Sequence, residues 1–186
     1  MKLLTNHKKL LVSGCIFFLL AACQQNNNKA TIENATPSFS NFFTGNDDAV
    51  LRGIQFNCTP DELKKLEKAK LYESTPDHLF YEFSYPKDST AFSEYANIQY
   101  FFNENNQLDI IIAEIYLNDS TQEQQLKNNL IEYYNQRFGN PEKDEQDHEV
   151  WTGYFTDATL DKKISYSVAM KEINGEFGIG IEYVRQ

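Results

Sequence analysis

Basic charge is in short supply in this 186-residue sequence: 17 Lys and Arg stand against 27 Asp and Glu, for a formal net charge of -10. The chain as a whole therefore lacks the footprint that nucleic acid or an anionic lipid surface selects. A basic partner protein remains compatible with it. Histidine is scarcer still, with only His7, His78 and His148, and none has a second His at ligand spacing, so no zinc motif is present. A nucleophile elbow and a phosphate-binding loop are also missing, and no pair of carboxylates stands out as an acid/base couple. Cysteine is limited to Cys15, Cys23 and Cys58. The longest apolar run, Leu10–Leu20, is far short of the roughly 20 residues that a spanning helix needs.

What is present begins with that run. Lys2, Lys8 and Lys9 precede it and small residues follow it, which is the order of a secretory signal, to be left out of any fold argument. Removing residues 1–22 takes away three lysines and no acid, so the net charge falls from -10 to -13. The remainder suffices for one ordinary domain or two small, fused layers, with a sizeable core. Its supply of Phe and Tyr, 14 and 11 in the whole chain, speaks against disorder.

Leu20-Ala21-Ala22-Cys23 resembles the lipobox of bacterial lipoproteins: an aliphatic residue, two small ones, then Cys. The resemblance implies cleavage between Ala22 and Cys23. Cys23 would then carry a diacylglyceryl thioether and an acyl chain on its new amino group, with no other cofactor expected. Gln24, in place of Asp, favours release to the outer membrane by resemblance to known sorting rules, so the expected place is the periplasmic face of that membrane. Cys15 leaves with the signal and Cys23 is consumed by lipid. Cys58 stands alone, and no disulfide framework can form within the chain.

Residues 24–48 are polar, rich in Asn, Gln, Ser and Thr, and read as a tether. Phe39, Phe42 and Phe43 interrupt it, and are expected to dock on the domain or on a partner. The domain, residues 49–186, opens with a strand at Ile54–Phe56 and a strongly signalled helix. Thr59 is the cap, Pro60 the first helical residue, and Glu62 completes a capping box. Cys58 and Leu63 have the spacing of a hydrophobic staple, which gives the lone cysteine a structural reading. This helix is expected to end near Lys70.

Four strands follow, read from period-2 alternation: a short one from Leu71, then His78–Tyr85, Ala96–Asn103 and Leu108–Leu117. The last is the most apolar and is expected to be central and buried on both faces. Glu114 within it is expected to face solvent or to pair with a Lys. Tyr81, Phe83, Tyr100 and Phe102 are core candidates. A second helix is expected from Ser120, capped with Glu123, carrying Leu126, Leu130, Tyr133 or Tyr134, and Phe138, and stopped by Gly139-Asn140-Pro141. Strands at Glu149–Thr156, Lys163–Glu172 and Glu176–Arg185 complete the chain, the last two joined at Asn174-Gly175.

This order predicts an α+β domain of two consecutive units, about 49–118 and 119–186. Each is one helix plus an antiparallel meander, with helices on one face and the other face open to solvent or a partner. The segment Gly53–Glu67 resembles the opening of small bacterial lipoproteins of the SmpA/OmlA (BamE) type, with Asn57, Cys58 and Leu63 where that family has Gly, Met and Val. The β-lactamase-inhibitor-protein family repeats a similar unit in tandem. The resemblance implies a non-catalytic, protein-binding lipoprotein. The candidate docking patch is the acidic stretch Glu142, Asp144, Glu145, Asp147, His148 and Glu149, with Trp151 and Tyr154 as aromatic anchors. No metal site is expected there, because the stretch lacks the Gly-centred turn of a calcium loop.

The functional expectation is a non-enzymatic lipoprotein that binds another envelope protein from its membrane tether. One alternative is an acidic immunity or inhibitor lipoprotein that blocks a basic toxin or enzyme. Another is a lipoprotein that binds a small molecule or cation.

Overall fold

The computed structural model describes residues 42–43, 49–84, 93–157 and 162–186. The signal, the lipobox and most of the polar stretch, Phe39 included, lie outside the described residues. The elements are α1 (Pro60–Leu66), β1 (Lys70–Ser74), β2 (His78–Ser84), β3 (Ser93–Phe102), β4 (Leu108–Leu117), α2 (Ser120–Phe138), β5 (Glu142–Lys143), β6 (Glu149–Asp157), β7 (Lys162–Glu172) and β8 (Gly178–Arg185).

The expectation of two helix-plus-meander units is overturned. All eight strands belong to one antiparallel sheet in the order β1-β2-β3-β4-β8-β7-β6-β5. Two four-stranded meanders meet edge to edge at β4 and β8, where Ile110–Tyr116 pairs with Gly178–Val184. The physical reason is the backbone: each meander alone would leave its most apolar strand as an unpaired edge. Pairing the two removes both edges and places β4 at the centre. One core results, with Ile98 and Tyr100 of the first half and Val168 and Tyr183 of the second in a single cluster. A further strand, β5, precedes β6 and was absent from the sequence-based order.

The α1 capping box forms as predicted, with Thr59 N–H donating to Glu62 Oε2 at 2.9 Å. Cys58 and Leu63 are both buried in the core cluster. The helix stops at Leu66 rather than near Lys70, because Glu67 turns to extended backbone. Its carboxylate accepts from the N–H groups of Lys68 and Ala69, which would otherwise seek helical partners. In α2 the cap is Asp119, not Ser120: Asp119 Oδ1 accepts from Gln122 N–H at 2.9 Å, and Gln122 Oε1 accepts from Asn118 N–H. Glu123, released from capping, accepts from Gly178 N–H and ties the helix to the start of β8.

Both helices lie on one face of the sheet. Tyr134 of α2 meets Tyr183 of β8 hydroxyl to hydroxyl at 2.6 Å, and Trp151 Nε1 of β6 donates to Asn135 Oδ1 at 2.9 Å. The end of α1 is fixed over β3, where Tyr100 donates to Glu67. The Leu51–Ile54 turn, with Arg52 and Gly53 at φ 52° and 79°, brings Arg52 to the same carboxylate. Phe42 is fully buried, edge-on to Phe83, with the Arg52 guanidinium 5.2 Å from its ring centre. Phe43 packs on Tyr133 of α2. Of the three Phe in the polar stretch, these two therefore dock on the domain.

Candidate functional site: the uncovered face of the sheet

Alternation along the strands sorts side chains between a helix-covered face and an uncovered one. On the covered face Leu79, Tyr81, Ala96, Ile98, Tyr100, Ala113 and Ile115 are all buried, so Tyr81 and Tyr100 are core residues. Phe102 joins them, and Phe83 packs against the same core in part. The opposite register projects away from the helices. It forms transverse rows across neighbouring strands, spaced about 4.8 Å from strand to strand.

One row runs His78, Phe101, Ile110, Val184, Ser167, Thr152. The next runs Phe80, Gln99, Ile112, Glu182, Ala169, Val150. A third runs Glu82, Asn97, Glu114, Gly180, Lys171. The rings of this face are ordered among themselves. His78 stacks on Phe101 at 4.6 Å between centroids, Tyr95 on Tyr116 at 4.6 Å, and Tyr72 meets Phe80 edge-on at 5.4 Å. Phe80, Phe101, Ile110, Ile112 and Val184 remain partly exposed.

Polar groups punctuate the apolar rows. Lys171 Nζ pairs with Glu182 at 3.1 Å, its stem lying across Gly180, where an added Cβ would stand 3.3 Å from Lys171 Cγ. Glu114 faces this uncovered side, and Tyr116 donates to it at 3.3 Å. The burial expected on both faces of β4 is therefore corrected: its inner positions are buried and its outer positions only partly so. Glu114 supports the Tyr95/Tyr116 stack rather than acting as an isolated buried acid.

The residues read as a docking patch separate on folding. Trp151 is 1% exposed and its indole is hydrogen-bonded inside, so it anchors the core and not a surface. Tyr154 lies three residues along the same strand on the opposite face, 55% exposed, with Lys163 Nζ 4.3 Å from its ring centre. Glu145 and Asp147 are exposed in the β5–β6 turn. His148 folds back on Asp144, which accepts from the His148 ring at 2.9 Å and from the N–H groups of Gln146 and His148. Desolvation opposes ionisation of Asp144, but those donors outweigh it and hold its carboxyl below the usual range. The turn is thus closed by its own residues. Among the described residues no group of three or more His, Cys, Asp or Glu is placed to hold a metal ion.

Sequence reasoning missed the uncovered rows because both registers of β2, β3 and β4 are apolar. Leu79 and Phe80, Phe101 and Phe102, and Ile110 to Ile112 give alternation no polar face to mark. The available signal was the excess itself, since a sheet covered on one side only needs one apolar register.

A buried polar cluster holds the covered face together. The Glu67 side chain is fully buried and receives Arg52 through Nε and Nη2 at 3.0 and 2.9 Å, with Tyr100 and two backbone donors beside it. Burial alone would raise the Glu67 carboxyl, but Arg52 and the other donors overcome this and hold it below the usual range. Every partner is internal, so the cluster is structural. No protein-family profile matches this chain, and no curated protein or solved structure matches it either.

Proposed function

We propose that the protein is a lipid-anchored binding module, held at the envelope by Cys23, that takes up an apolar surface of another envelope protein on its uncovered sheet face. One observation carries the reading. Phe101, Ile110 and Val184 adjoin along one row and Ile112 lies beside Ile110 in the next, so partly exposed apolar side chains meet at the centre of the sheet, with Phe80 beyond Gln99 and stacked aromatic pairs beside them. Contiguous exposed apolar area rimmed by polar groups is a feature of interaction surfaces. Aromatic side chains held by stacking lose little conformational freedom on binding, which favours them as anchors. The Lys171–Glu182 pair and Glu114 supply polar contacts at the rim. Tethering confines the search for a membrane partner to the bilayer plane and raises effective concentration.

The mass of the mature N-terminal peptide tests the anchor, and an unmodified Cys23 would end that part of the reading. Capture from solubilised envelope by the wild-type chain, compared with Phe101→Ser/Ile112→Ser, tests the face. The account expects one envelope protein to be retained by the former and lost by the latter. Equal retention by both would contradict it.

A further inference from the structure

A protein seated on the uncovered face covers charge as well as apolar surface, and the charge it covers does not balance. A stable interface buries about 800 Å² on each side, equivalent to a disc about 16 Å in radius. Glu114 borders the apolar centre, two residues along β4 from Ile112 and about 6.8 Å away, well inside such a disc. Glu182 lies directly opposite Ile112 on β8 and is covered with it.

The cations of this face are few, and their places are known. Lys171 pairs with Glu182 at 3.1 Å. Lys70 stands cross-strand from Glu82 at the β1 edge, where Glu73 also lies. Lys163 lies over the Tyr154 ring, three rows or about 20 Å along β7 from Ala169, which shares the row of Ile112. Arg185 turns to the covered side, over Phe155. Glu114 makes no ion pair with a Lys or Arg among the described residues, and its contact is the Tyr116 hydroxyl at 3.3 Å. If Lys171 moved from Glu182 to Glu114, Glu182 would be left instead. Two carboxylates therefore share one ammonium in either arrangement.

In the free chain water solvates the odd carboxylate. Under a partner that water is lost, and a long bond from a neutral phenol does not replace it, so an unpaired charge there opposes binding strongly. The surroundings select the compensating group. The Tyr95 and Tyr116 rings stack beside Glu114 at 4.6 Å between centroids, and Tyr95 is 36% exposed. Burial pushes the Tyr116 hydroxyl up and the Glu114 charge pushes it further, so it stays a neutral donor. A carboxylate next to an accessible aromatic ring suits a planar guanidinium, which bonds the one and stacks on the other.

We infer that the envelope protein received on this face presents a basic side chain, with arginine the best fit, to Glu114 beside the Tyr95–Tyr116 stack. This names the chemistry of the partner and rests on the reading above. The apolar centre supplies contact area, while the charge at Glu114 sets register and rejects apolar surfaces that lack a cation.

The test uses the full chain purified from membranes as bait and solubilised envelope as the probe, and its readout is the charge dependence of retention. Glu114→Gln keeps an acceptor for Tyr116 and removes the charge. It is expected to weaken retention by about tenfold or more, with an unchanged melting temperature. Glu145→Gln removes the same charge from the exposed β5–β6 turn, outside the disc, and is expected to leave retention unchanged. Glu114→Arg is expected to abolish retention, and exchange of the partner's contacting basic residue for Glu to restore it. Equal retention by wild type and Glu114→Gln, with loss in Phe101→Ser/Ile112→Ser, would overturn this inference and leave the apolar reading standing. An equal loss in Glu114→Gln and Glu145→Gln would also overturn it, since net charge alone would then be acting. No retention by wild type, or none lost in Phe101→Ser/Ile112→Ser, would overturn both readings.

Discussion

The two faces of this sheet are made by the same strands and often by adjacent residues, yet they obey different rules. On the covered face Tyr100, Tyr166, Tyr183 and Trp151 are almost completely buried, and the indole and the hydroxyls of Tyr100, Tyr134 and Tyr183 have partners inside. On the uncovered face Phe101, Ile110 and Ile112 are no less apolar, but their packing is incomplete. The difference teaches that apolarity alone does not mark the core. Closure by a helix and satisfaction of buried polar atoms do. A face that is apolar without closure is one that folding does not use up.

The largest effect expected on the covered face comes from Glu67→Gln. It leaves the Arg52 guanidinium buried without its counter-charge, and loss of one partner of such a pair costs about 3–5 kcal/mol. Denaturant unfolding measures it. Because the folded carboxyl is held below its usual range, its contribution is complete above the unfolded carboxylate pKa and is lost as pH falls through the lower folded value. Wild-type stability should therefore fall on acidification with a component that Glu67→Gln lacks.

Trp151→Ala and Tyr154→Ala, three positions apart on β6, sharpen the comparison. The first empties a buried site and loses the bond to Asn135, at about 3–5 kcal/mol. The second removes an exposed ring and should change stability by no more than about 0.5 kcal/mol. Similar melting temperatures for the two would break the distinction between faces. Gly153→Ala comes next, at about 1–3 kcal/mol, because its Cβ would overlap the Tyr166 ring. Phe101→Ser/Ile112→Ser should cost less than Gly153→Ala, at about 1 kcal/mol, although partner capture should be lost. A large loss of stability there would place these residues in the core and remove the case for an interface.

Much of the local structure was legible. The α1 capping box formed at the predicted residues because its signals lie within four positions. Strand β4 runs over the predicted Leu108–Leu117, since Asn105 and Asn106 before it and Asn118 and Asp119 after it punctuate the apolar run. The α2 cap moved by one residue because Asp119, adjacent to Ser120, accepts the same kind of bond, leaving Glu123 for a long-range contact that spacing does not reveal. Topology was not legible. The β4–β8 pairing joins segments about 70 residues apart and is selected by the need to close two edges together, a condition written in no single window. The candidate site suffered similarly: Trp151 and Tyr154 are near in sequence but lie on opposite sides of the sheet.

The most direct measurement is site-specific photocrosslinking in the native cell. A photoreactive residue would replace Phe101 or Ile112 on the uncovered face, or, as a control, Lys127 of α2, which pairs with Glu172 on the helix-bearing side. The account predicts one shared adduct with an envelope protein from positions 101 and 112, and none from position 127. Adducts only with a second copy of this chain, or none from either face position, would contradict the claim that this face receives another envelope protein.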